Sequence, residues 1–104
     1  ILGAKYQHGR GVTKDEAEAV KWYRKAADQG HGDAQHNLGL MYAHGRGVIK
    51  DYEMAYMWWL LASAKGNETA RVNIDNSEKR LTPEQRASGQ RMAREWKPTT
   101  AGRK

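Results

Sequence analysis

Residues 38–51 read Leu-Gly-Leu-Met-Tyr-Ala-His-Gly-Arg-Gly-Val-Ile-Lys-Asp, and residues 2–15 read Leu-Gly-Ala-Lys-Tyr-Gln-His-Gly-Arg-Gly-Val-Thr-Lys-Asp. The two stretches stand 36 positions apart, and the match continues beyond them: Ala19, Trp22, Ala26 and Gly30 return as Ala55, Trp58, Ala62 and Gly66. Repetition at this period marks stacked units that bury a hydrophobic face only against their neighbours. Such stacks serve more often to bind other molecules than to transform them.

Each unit reads as helix, short loop, helix. In the second unit Asp33 is placed to cap a helix over 34–44, because a carboxylate accepts from the unpaired N–H groups of a first turn. Gly45 ends that helix as a residue able to take the left-handed conformation. Asp51 caps the next helix, 52–65, which Gly66 closes. The first unit uses Gly9, Gly11, Asp15 and Gly30 in the same way, with Asp15 and Glu18 approximating a capping box. A third unit opens with Thr69 as cap and then departs from the pattern. In its place Thr82-Pro83-Glu84-Gln85 supplies a cap, a proline at the first helical position and a glutamine that completes the box. This helix is predicted to run to Trp96, where Lys97-Pro98 stops it.

These residues resemble the SEL-one-like repeat, a relative of the tetratricopeptide repeat. The likeness rests on Ala34, Leu38, Gly39, Tyr42, Gly45, Gly47, Val48, Asp51, Ala55, Trp58, Ala62 and Gly66, and on their counterparts in the first unit, including Trp22-Tyr23 and Ala26-Ala27. It covers about residues 1–76, with Trp59 standing where the first unit has Tyr23 and Ser63 where it has Ala27. The resemblance implies an all-α, right-handed superhelix of helix-turn-helix repeats. It also implies an adaptor or scaffold role with another protein or peptide as partner. The expected organisation is a single solenoid over 1–97: repeat one 1–32, repeat two 33–68, then a partial third repeat and a C-terminal capping helix over 69–97. A basic tail, 98–104, is expected to be disordered.

Composition narrows the function further. A chain of 104 residues forms one small domain that buries roughly two-thirds of its unfolded surface. Four Trp and five Tyr, with no Phe, supply much of the apolar bulk. The absence of Cys excludes disulfides and thiolate metal sites but leaves cytoplasm and periplasm both open. No apolar run approaches the roughly 20 residues that span a bilayer. The chain opens at Ile1, inside what the pattern makes a helix, so a truncated or processed product lacking upstream repeats or a signal peptide is expected.

The net charge of +6 is concentrated at one end. Lys79, Arg80, Arg86, Arg91, Arg94, Lys97, Arg103 and Lys104 face only Glu84 and Glu95 across residues 79–104. Nucleic-acid or anionic-surface binding through this segment is therefore the alternative to a protein-interaction role.

Catalytic chemistry finds no foothold. His-Gly-Arg-Gly-Val at 8–12 and 44–48 lacks the preceding strand and the Gly-Lys-Ser/Thr ending of a phosphate-binding loop, and reads as the corner between two helices. His8, His31, His36 and His44 have no spacing that gathers metal ligands. Ser63, Ser77 and Ser88 sit in no nucleophile motif. No cofactor, metal or catalytic residue is assigned.

Two surfaces stand out instead. On helix 34–44, Ala34, Leu38 and Tyr42 form the core stripe, while Asp33, His36, Leu40 and Ala43 turn the other way. In register with that second face stand Ala4 and Gln7 in the first unit and Val72, Asn76 and Lys79 in the third. Together these predict a concave groove suited to an extended peptide or a partner helix. The second surface lies on helix 52–65. In helix 16–29 the core arc is Ala19, Trp22, Tyr23 and Ala26, with Lys21 and Arg24 outside. In 52–65 the outer positions become Met54, Met57, Leu60, Leu61 and Ala64, so the helix is apolar almost all round and both its faces must be covered. The stripe Gly89, Met92, Ala93 and Trp96 makes helix 83–96 the nearest cover. A second protein docking a peptide or helix on this face, or a second copy of the chain forming a homodimer through it, is the other candidate, with membrane contact third.

Overall fold

The computed structural model describes residues 13–99. Five helices follow one another in this span: α1 (Thr13–Asp28), α2 (Gly32–His44), α3 (Tyr52–Ala64), α4 (Glu68–Glu78) and α5 (Pro83–Glu95). Each of the first three packs against its successor in the chain, and α5 packs on α3. The result is an all-α stack of helix-turn-helix units. The first unit's opening residues, with its Ala4 and Gln7, lie outside the described range.

Local chemistry sets most boundaries. The carboxylate of Asp51 accepts from the Met54 N–H at 3.1 Å and starts α3. Gly45, at φ +65°, ends α2 with its N–H bonded to the Met41 carbonyl. Thr82 and Gln85 form a reciprocal capping box at the head of α5, with Pro83 in its first turn. Three caps differ from the sequence reading. Helix α2 begins at Gly32 behind an extended His31 that makes no side-chain cap, so Asp33 lies inside the first turn, where its charge favours the helix dipole. Its carboxylate accepts instead from the Asn67 amide at 3.1 Å. Asn67, not Thr69, caps α4, accepting from the Ala70 N–H at 2.8 Å. Asp15 likewise lies within the first turn of α1.

The glycines repeated between the units have packing reasons. A Cβ on Gly39 would stand 2.4 Å from Nε1 of Trp59, so this position lets the indole lie against α2 and donate to the His36 carbonyl at 3.1 Å. A Cβ on Gly47 would stand 2.5 Å from the Glu16 carbonyl, because the loop of unit two rests directly on α1. Arg46 adds an ion pair to Glu16 at 3.1 Å across the same seam.

The core follows the seams between helices. Ala19, Val20, Tyr23 and Ala27 of α1 cluster with Ala34, Leu38 and Met41 of α2 and with Met57 and Trp58 of α3. A second cluster joins Ala43, Ala55, Trp59, Ala62 and Ala70. Trp22, read from the sequence as core, is 39% exposed, with Lys25 5.6 Å from its ring centre. Its repeat counterpart Trp58 is 3% exposed.

The difference comes from α5. Ser88 donates to Glu53 at 2.6 Å, Gln90 donates to the Tyr56 hydroxyl at 2.9 Å, and Trp96 meets Trp58 edge-on with ring centres 6.2 Å apart. The partner numbers rise together, so α5 runs parallel to α3. Gly89 permits the approach, since a Cβ there would come within 2.6 Å of the Tyr56 ring. Beyond α5 the chain turns back to the first unit, and the Thr99 N–H donates to the Asp28 carbonyl at 2.7 Å. The segment 98–99, expected as disordered tail, is thus tied to the end of α1. Residues 100–104 lie outside the described range.

Candidate functional site

The apolar face of α3 is closed by the chain itself. Met57 is 5% exposed, and Met54, Leu61, Met92 and Trp96 pack half-buried on the same cluster. Leu60 is also half-buried. Helix α5 thus provides the cover that the apolar face of α3 needs. Tyr56, fully buried at the centre of the contact, keeps its hydroxyl satisfied by donating to Glu78 at 2.9 Å while accepting from Gln90.

The other face, between α2 and α4, is open. Leu40 and Ala43 of α2, Tyr52 and Trp59 of α3, and Asn76 and Arg80 on the far side line a depression of about 140 Å³, with His44, Asn73 and Ser77 completing its wall. Of the residues expected in the groove, the structure brings Leu40, Ala43 and Asn76 into this one depression. His36 stands beside it, hydrogen-bonded to the Asn73 amide at 3.2 Å. Val72 and Lys79 lie on the exposed flank of α4, with Val72 59% exposed. Gln7 lies outside the described residues. Ala43 is 6% exposed and packs with Ala55, Trp59, Ala62 and Ala70, so it contributes to the floor of the depression. The position faces α4, and the next unit covers it.

The polar groups of the depression are part committed and part free. Asn73 donates to Nε2 of His36, which requires that nitrogen to be unprotonated. Burial lowers the His36 pKa and favours that neutral state, against weaker opposing effects from the Asp33 charge and the Asn37 side chain. Ser77 donates to the Asn73 carbonyl at 2.7 Å. Asn76 has no hydrogen-bond partner among the described residues. At the end of the groove, Lys50 and Arg80 both approach the Tyr52 ring, at 5.0 and 5.2 Å from its centre. The sequence reading missed this trio. Lys50 and Arg80 lie just outside helices, where the angular argument that placed Leu40 and Asn76 does not apply.

A larger cavity, of about 460 Å³, lies at the other end of the stack between Trp22, Tyr23 and Ala26 of α1, the first turn of α2, and Lys65–Asn67. The exposed Trp22 marks it. In unit two, the place beside Ala62 and Lys65 is filled by the first turn of α2, where a Cβ on Gly32 would come within 2.8 Å of Lys65.

Of the C-terminal cations, Arg86 is structural, with Nη1 donating to the carbonyls of Glu78 and Leu81. Among the described residues no helix is long and apolar enough to cross a membrane, and no three His, Cys, Asp or Glu side chains gather as metal ligands.

Comparison with known proteins agrees with this architecture. The Sel1 repeat pattern matches residues 1–31 and 32–67. The fold is similar to the crystal structure of c5321, a protective antigen of uropathogenic Escherichia coli strains that displays an SLR fold. The TM-score is 0.85 at 38% identity over 91% of this chain. This chain spans 21% of that protein's length. A search of curated proteins found no match.

Proposed function

The chain belongs to the Sel1-repeat family, and because such repeats commonly mediate protein interactions, we propose that it is a non-catalytic interaction module whose partner lies in the groove between α2 and α4. One observation supports that choice of surface over the apolar face of α3. The α3 face is already covered by α5 through Trp58 and Trp96, whereas the α2–α4 face leaves an apolar floor and the Asn76 amide facing outward. An apolar side chain in the depression and a main chain paired to a free amide are the two contacts that an extended peptide or partner helix offers.

The test is capture of partners by the protein and by two surface variants. Val72→Asp with Asn76→Asp alters the flank of the groove on exposed positions and should leave the melting temperature within a few degrees, since exposed substitutions cost roughly 0.5 kcal/mol or less. Partners held by the parent protein should be lost from this variant and kept by Arg91→Gln with Arg94→Gln, which changes only the exposed face of α5. The reverse pattern, with retained material weakening steeply as salt rises, would replace the groove with the basic segment as the binding surface.

A further inference from the structure

We propose that the α2–α4 groove selects a peptide by an acidic side chain, held between Lys50 and Arg80 beside Tyr52; the proposal rests on the groove being the partner surface. Tyr52, the first residue of α3, lines the depression with part of its ring exposed. Lys50 reaches that ring from the loop before α3 and Arg80 from the turn after α4. Their charges therefore lie within about 10 Å of each other. That separation is comparable with the screening length of roughly 8 Å at physiological salt, so the two cations repel one another and would jointly attract one anion.

Neither cation is neutralised. Among the described residues Lys50 and Arg80 have no ion-pair partner. The carboxylates next to them in sequence are used elsewhere: Asp51 accepts from the Met54 N–H, and Glu78 accepts from the Tyr56 hydroxyl. Cations near the ends of α2 and α4 also offset the negative ends of the helix dipoles. That effect accounts for each charge at its own helix end, but it does not bring two of them to one ring. The edge of an aromatic ring is itself its positive part, so a carboxylate lying between the cations at the rim of Tyr52 is favoured by all three groups. The apolar floor of Leu40 and Trp59 sits alongside for a neighbouring aliphatic side chain.

Fluorescein-labelled decapeptides with one leucine set among glutamates, glutamines or lysines test this by anisotropy, with a ten-nucleotide oligothymidine as a competing polyanion. The glutamate peptide should bind tighter than the glutamine peptide at low salt, and the lysine peptide should bind weakest. Lys50→Gln and Arg80→Gln should each weaken the glutamate peptide about fivefold, as for the loss of one partly exposed ion pair. The glutamine peptide should be unaffected by either change. Equal binding of the glutamate and glutamine peptides, with no effect of Arg80→Gln, would overturn acidic selection while leaving the groove reading intact. Failure of all three peptides to bind would remove both. Competition by the oligonucleotide as strong as by the glutamate peptide would show attraction to negative charge in general and likewise overturn the proposal.

Discussion

Helices α1 and α3 carry the same repeat residues and meet different fates. Trp22 and Trp58 occupy one repeat position, yet the first is 39% exposed beside Lys25 and the second is 3% exposed beneath Trp96. Tyr23 and Trp59, one residue on in each helix, are both buried. Tyr23 is buried in the core it shares with α2 and α3, and Trp59 in the cluster it shares with Ala43 of α2 and Ala70 of α4. The position of Trp22 and Trp58 is buried only where a further helix arrives, and α5 arrives at α3. In a stacked architecture, identity between copies thus does not fix burial, which for the outer ring depends on the neighbour that covers it.

The largest expected effect tests that distinction directly. Trp58→Ala should cost about 3–5 kcal/mol in denaturant unfolding, as for other large-to-small changes in a closed core. Trp22→Ala should cost less, about 1–2 kcal/mol, because 39% of the residue is already in water. Equal costs would mean that the two tryptophans are buried alike and that the comparison fails.

A smaller effect converts one environment into the other. Trp96→Ala removes the ring lying edge-on against Trp58, at a cost of about 1–2 kcal/mol for a half-buried aromatic partner. Trp58 would then resemble Trp22, and its fluorescence should shift to the red while the helix content holds. A loss of helix content as large as that of Trp58→Ala would instead show that α5 is needed to fold α3, and not merely to cover it.

The sequence made legible what depends on neighbours in the chain. Asp51, Gly45 and the Thr82–Gln85 box act within a turn of where they stand, so residue type and spacing suffice to place them. Substitution of Met57 and Leu60 for the charged Lys21 and Arg24 showed that α3 needs a cover on its outer face. The errors fall where a distant residue competes. Asp33 was expected to cap, but Asn67, in the next inter-helix loop, engages its carboxylate. Trp22 was expected in the core because its helix alone makes it apolar-facing. In the groove, Leu40 and Asn76 follow from helical angles, whereas Lys50, Tyr52 and Arg80 meet through the geometry of two loops, which no periodicity encodes.

The subtlest contrast lies on α2, which carries the neutral His36 against α4. Burial lowers the pKa of this imidazole below its ordinary value of 6.5, and the Asn73 amide donates to the nitrogen that a proton would occupy. Because the folded state binds a proton less readily than the unfolded chain, the unfolded state holds more protons in the window just below the ordinary value, and stability must fall there as pH falls. The contribution is complete above about pH 6.5 and is lost as pH drops toward the lowered folded value. His36→Gln should flatten the slope of stability in that window, since an amide has no proton to gain. If the slope survives His36→Gln, the acid sensitivity of the α2–α4 seam does not come from this histidine.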